Sequence, residues 1–160
     1  MGMELDSVVR NVNSHYGPRN TTEKYGGAVN TDGRIKRATW EFSYDDLPAG
    51  GAGNLEMSIP AGATIVSAHL EIITGFTSTS TTTDLDIGLE QADGTDIDLN
   101  GLIAAAEATQ TAIATDGNYI TGAGALVGAS IGAAAGELVV TPTVDDLLTG
   151  VGRVHVDYLL

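Results

Sequence analysis

The stretch that decides the fold is Lys36-Arg37-Ala38-Thr39-Trp40-Glu41-Phe42-Ser43-Tyr44. Ala38, Trp40, Phe42 and Tyr44 share one parity; Arg37, Thr39, Glu41 and Ser43 share the other. Successive side chains of a strand point to opposite faces, so a period of two with apolar residues on one parity marks a strand lying half-buried on a core. Trp40, the only tryptophan of the chain, is the natural anchor of that strand.

The same period recurs downstream. Pro48 and Gly50-Gly51-Ala52-Gly53 form a loop, Leu55, Met57 and Ile59 alternate, and Pro60-Ala61-Gly62 turns the chain. Val66, Ala68, Leu70 and Ile72 then form an inward face against Ser67, His69 and Glu71. The Ser/Thr run at 77–83 reads as a loop or an exposed strand edge. Leu85, Ile87 and Leu89, then Leu138 and Val140, then Val154, Val156 and Tyr158 repeat the alternation. Short alternating strands separated by Gly/Pro turns predict an all-β domain, a sandwich or barrel. Its expected core is Trp40, Phe42, Leu70, Ile72, Leu85, Ile87, Val154 and Val156. One helix is expected over 98–110, capped by Asp98 or Asn100, with Leu102, Ile103 and Ala106 as its apolar stripe. The six glycines from Gly117 to Gly136 predict a glycine-rich hairpin region. The small side chains of the Gly/Ala-rich segment 122–136 could not fill a monomer's core, which points to close approach between copies.

Upstream the chain changes character. Residues 1–33 are rich in Asn, Gly, Ser and Thr, with turns at Asn13-Ser14, Gly17-Pro18, Gly26-Gly27 and Asp32-Gly33. The division expected is therefore an extended arm, 1–33, and a β-sandwich domain, 34–160. Residues 1–37 hold six of the seven Lys/Arg residues and four acids, a net charge of +2; the remainder holds one base, Arg153, and 17 acids, a net charge of −16. An arm that cannot build a core but carries charge and apolar handles is expected to lie on a partner. The handles and charges are Val8, Val9, Arg10, Val12, Tyr16, Arg19, Lys24 and Tyr25.

Composition excludes several classes of function. With no cysteine, disulfides, thiolate catalysis and Cys-type zinc sites are all absent. The acidic body repels nucleic acid, no apolar run suffices for a membrane-spanning helix, and the first ten residues lack the apolar core of a signal peptide. Synthesis in the cytoplasm of the host cell is the expectation.

One motif points to a metal. Asp96-Ile97-Asp98-Leu99-Asn100-Gly101 followed by Glu107 matches the calcium-loop pattern, in which alternate oxygen ligands surround a hard cation and a final Glu closes the site. No helix enters this loop, so a turn at Asp93-Gly94, a helix cap at Asp98 or Asn100 and a helix-surface Glu107 explain the same residues. No cofactor is expected. His69 and His155 fall on outward strand faces, with Asp157 beside His155; exposed strand positions explain them better than a metal or acid–base pair. Asp45-Asp46 and Asp145-Asp146 are adjacent pairs whose side chains diverge. No nucleophile elbow, phosphate loop or dinucleotide motif appears, so no catalytic residue is assigned and an enzyme is not expected.

The order of the phrases 38–47 (ATWEFSYDDL), 59–66 (IPAGATIV), 70–76 (LEIITGF), 85–88 (LDIG) and 149–158 (TGVGRVHVDY) resembles the tailed-phage capsid decoration, or cement, proteins and related minor virion proteins. The resemblance covers roughly 38–160 and is loosest in the middle. It implies a jelly-roll-like β-sandwich on the exterior of a virion, the major capsid protein as partner, and self-association as a trimer. The arm and the segment 98–136 are additions to that pattern. A receptor- or glycan-binding β-sandwich of a phage tail or fibre is the alternative; it requires an aromatic platform, whereas Trp40 faces inward by parity.

Overall fold

A computed structural model describes residues 12–16, 27–30, 35–47 and 53–160, with only the backbone course given at 12–16, 27–30 and 54–57. Residues Met1–Lys36 and Arg37–Leu160 form separate compact units. In the first, β1 (Val12–Tyr16) and β2 (Gly27–Asn30) pair antiparallel, Tyr16 opposite Gly27.

Eight strands follow: β3 (Ile35–Ser43), β4 (Gly53–Ile59), β5 (Thr64–Ser78), β6 (Leu85–Glu90), β7 (Asp96–Ile103), β8 (Tyr119–Thr121), β9 (Gly136–Pro142) and β10 (Leu147–Leu159). They make two four-stranded sheets, ordered β3-β10-β5-β8 and β4-β9-β6-β7. The pairs nest: β3 with β10, β4 with β9, β5 with β8 and β6 with β7. This is one long hairpin rolled up so that alternate pairs fall in opposite sheets, the jelly-roll arrangement of an all-β sandwich.

The apolar parities of the two sheets meet between them. Trp40, Phe42, Leu70, Ile72, Leu85, Ile87, Val154 and Val156 are all buried, as their alternation requires, together with Ile59, Phe76, Leu89, Leu138 and Val140. Phe42 and Phe76 stack at 5.5 Å between ring centroids.

Val66 departs from its expected inward place and is 42% exposed, while Ile65 is fully buried. A bulge is the cause: Asp157 pairs with Ser67 and Tyr158 with Ile65, leaving Val66 as the extra residue and shifting the side-chain phase.

The helix expected over 98–110 is also absent. Residues 96–103 are strand β7, paired with β6 through Ile87–Ile103 and Leu89–Asp98. Gly101, Leu102 and Ile103 are buried consecutively, because this part of the strand is covered on both faces. The expected apolar stripe therefore has a different origin, and Asp98 and Asn100 cap no helix. The only α-helix among the described residues is one turn, α1 (Gln110–Ile113). Acids fasten the connection leading to it: Glu107 accepts from Ala104 N–H, Asp86 from Ala105 N–H and Asp84 from Gln110 N–H, each at 2.7 Å.

The glycine-rich region is a strap rather than a hairpin. After β8, Gly122 N–H donates to Ala68 O (2.9 Å), Leu126 N–H to Gly101 O (2.8 Å), Gly128 N–H to Ile65 O (2.8 Å) and Ile131 N–H to Ala63 O (2.9 Å). The acceptors belong to β7, to β5 and to the turn before β5, so the strap ties the two sheets together along one side. A Cβ on Gly124 would overlap the backbone of Gly101. Gly122 and Gly124 are thus used inside the chain, and a positive φ accounts for Gly128 and Gly132, which face open space.

Candidate functional site

The outer face of the sheet β3-β10-β5-β8 carries the densest polar constellation of the described residues. Its strands place outward side chains in three rows. In the first, Arg37 Nε and Nη2 donate to the two carboxylate oxygens of Asp157 at 2.7 and 2.8 Å, and Ser67 Oγ donates to Asp157 Oδ2 at 3.1 Å. In the second, His155 stands opposite His69, and Thr39 Oγ1 lies 3.1 Å from His155 Nδ1. In the third, Arg153 donates to Glu41 at 2.6 Å and to Glu71 at 3.1 Å. Glu71 also ties the last two rows together, 3.3 Å from His155 Nε2. An ionised carboxylate only accepts, so the contact with Glu71 calls for an N–H at His155 Nε2, while the Thr39 hydroxyl can donate to or accept from Nδ1.

Tyr119, at the β8 edge, stacks on His69 at 5.0 Å and tilts toward His155 at 6.3 Å. This packing leaves the His155 side chain only 14% exposed, less than an outward strand position alone predicts. His69 Nδ1 is buried without a hydrogen-bond partner. The Arg37 hydrogen bonds hold the Asp157 carboxyl below the usual carboxylate value; partial burial opposes them and Ser67 reinforces them. The hydrogen bond to Glu41 raises the Arg153 guanidinium above its ordinary value.

The histidines flagged in the sequence thus come together, but Asp157 engages Arg37 rather than either of them. Glu41, Glu71, Arg153 and Tyr119 complete the constellation and carry no motif. Their one legible signal is that Arg37 and Arg153, the only bases after residue 36, both fall on outward strand parity.

The residues of the calcium-loop pattern do not form a helix-flanked loop. Asp96, Asp98 and Asn100 lie along strand β7, and Glu107 is bound to the backbone of Ala104. Among the described residues no three His, Cys, Asp or Glu side chains are placed to hold a metal ion. The paired acids fasten turns: Asp46 accepts from Ser43 N–H and Oγ, and Asp145 from Thr79 Oγ1 and Asp146 N–H. Of the arm residues, Val8, Val9, Arg10, Arg19, Lys24 and Tyr25 lie outside the described residues, and Val12 and Tyr16 belong to β1, whose side chains are not described.

A cleft of about 270 Å³ opens between Tyr44, Asp45, Leu47, Pro142, Asp146, Leu147 and Leu148. It is smaller than most ligand pockets and gathers no nucleophile with a base. No helix among the described residues is long and apolar enough to cross a membrane. What the outer sheet face offers is a broad surface of polar side chains hydrogen-bonded to one another.

No protein-family profile matches this chain, and no curated protein does. Two solved structures share the fold. A chain in the acidic stable capsid structure of Helicobacter pylori bacteriophage KHP30 is 18% identical with a TM-score of 0.52, covering 79% of this chain and 87% of that one. A chain in the cyanophage Pam1 capsid asymmetric unit is 16% identical with a TM-score of 0.54, covering 79% of this chain and 84% of that one. The jelly roll assembled from β3 to β10 is therefore similar in fold to chains found in phage capsids.

Proposed function

We propose that this protein is a non-enzymatic structural component of a phage virion that decorates the capsid exterior and bridges neighbouring major capsid subunits. The observation that carries the reading is the nested eight-stranded jelly roll, shared over 79% of the chain with chains of two phage capsid structures. The physics of such a role is multivalency. A copy that touches two subunits converts its second contact into an intramolecular one, so modest contacts sum to a durable clamp. The arm 1–33 supplies the principal anchor in this proposal, by backbone pairing and apolar contacts that its charge steers into register. Copies also associate with one another, as a trimer by the resemblance.

Counting copies per purified particle tests the reading. Hundreds per head, retained on DNA-filled heads without tails, are expected. A dozen or fewer, lost with the tail, overturns decoration and moves the protein to the neck or tail. Among the described residues the glycan-binding alternative finds one exposed ring, Tyr119, and the carboxylates and guanidinium groups near it are already paired to one another.

A further inference from the structure

The chain contains a single Asn-Gly dipeptide, Asn100-Gly101, and the fold places it where strand β7 leaves its ladder. Leu89 pairs with Asp98 and Ile87 with Ile103, so one residue of β6, Gly88, stands opposite four of β7, Leu99, Asn100, Gly101 and Leu102. The surplus bulges out of the pairing. Asn100 is exposed at this bulge. Its backbone N–H reaches Asp98 Oδ1 at 3.3 Å, while no hydrogen bond to a described residue holds its side-chain amide. Asn118 is the contrast: its Nδ2 donates to Ala112 O at 2.9 Å, its Oδ1 accepts from Tyr119 N–H at 3.0 Å, and the residue that follows is the bulky Tyr119.

We propose that Asn100-Gly101 is a site of spontaneous covalent modification that acts on the tie between the two sheets. The Gly101 amide nitrogen attacks Asn100 Cγ and closes a five-membered succinimide; its proton leaves with the side-chain nitrogen as ammonia. Water then opens the ring on either side, giving aspartate or isoaspartate at position 100 with no change of oxidation state. Glycine has no Cβ to obstruct the approach and the widest choice of backbone angles, and a bulged segment is freer to turn than a paired one. Opposing this, Leu126 N–H holds Gly101 O at 2.8 Å and Gly124 N–H holds Leu102 O at 3.3 Å. These bonds hold the carbonyl side of Gly101, one peptide beyond the reacting nitrogen, and so slow the reaction relative to an unfolded chain rather than forbid it. They are also what the product disturbs. Isoaspartate adds a carbon to the main chain directly before Gly101, and either product adds a negative charge beside Asp98. In the isoaspartate form Gly101 O shifts from under Leu126 N–H, and the strap loses its hold on β7.

Folded protein held at mildly alkaline pH in heavy-oxygen water, then mapped by tandem mass spectrometry, tests the site. Conversion with uptake of the label is expected about tenfold or more faster at Asn100 than at Asn118. Equal or slower conversion at Asn100 overturns the proposal. Asn100→Gln, whose longer side chain would have to close a six-membered ring, is the paired control. After the same incubation the aged wild type is expected to lose hydrogen-exchange protection at the Gly124 and Leu126 amides, and the aged variant to keep it. Conversion with protection intact, or the same loss in Asn100→Gln, overturns the link to the strap.

Discussion

Trp40 shows how one side chain can be well placed in volume and poorly placed in chemistry. It is 2% exposed on the inner face of β3, and its indole N–H is buried with no hydrogen-bond partner. Trp40→Ala removes the largest side chain of the core and is expected to cost about 3–5 kcal/mol by urea unfolding. Trp40→Phe also discards the orphan donor, so it should cost distinctly less than Trp40→Ala; an equal loss would mean that the N–H is satisfied in solution. Asp157 is the complementary case, a carboxylate whose pKa is depressed when the chain folds. A depressed folded pKa contributes stability that is present above the unfolded value, near 4, and disappears as pH falls through the lower folded value. Melting temperature should therefore drop as pH falls from about 4 downward, and Asp157→Asn should show a smaller drop over that window. Equal slopes for the two proteins would remove Asp157 from the acid response.

At the scale of elements, the strap after β8 and the strand β7 are coupled through glycine. A Cβ on Gly88 would overlap the backbone at Asp98 and Leu99, and one on Gly124 the backbone of Gly101. Gly124→Val is expected to destabilise by at least 1–3 kcal/mol, roughly the cost of overpacking a closed interior, visible as a lower thermal midpoint. Because 96–103 is a strand and not a cation loop, millimolar calcium should leave the thermal midpoint unchanged in both wild type and Asp96→Ala. A calcium-dependent rise confined to the wild type would restore the metal site by mass action. These two elements are also where sequence reading went astray, for a shared reason. Strands β3, β6 and β10 were legible because one face is apolar and the other polar. The end of β7 is covered on both faces, which abolishes alternation, and the strap is held by backbone hydrogen bonds that leave no mark in side-chain pattern. The outer-face network was partly legible: parity found His69 and His155. The partners Arg153 and Glu71, 82 residues apart, meet only once the register of β10 on β5 is fixed.

At the scale of the whole molecule, the nested order of pairs bears on what the arm can be expected to do. The first and last strands of the sandwich, β3 and β10, lie side by side, and every strand pair from β3 to β10 is complete within residues 35–160. Deleting residues 1–33 removes no sandwich strand and none of the buried core residues among those described. The truncated protein should therefore keep the far-ultraviolet circular dichroism of an all-β domain and unfold in a single transition. The expected loss is in attachment. Residues 1–37 carry six of the chain's seven Lys and Arg residues ahead of a body of 17 acids, so this stretch is the segment best able to approach acidic subunits. Exposed ion pairs contribute only about 0–1 kcal/mol each, so three of them cannot hold a protein on a particle without the backbone pairing and apolar contacts that accompany them. Occupancy of purified heads by the truncated chain should fall severely. Replacing Arg10, Arg19 and Lys24 together by alanine should weaken binding more at low salt than at high salt, because screening already silences those charges at high ionic strength. A truncated body that decorates heads as fully as the intact chain would assign anchoring to the sandwich itself, with the outer face of β3-β10-β5-β8 as the first surface to test.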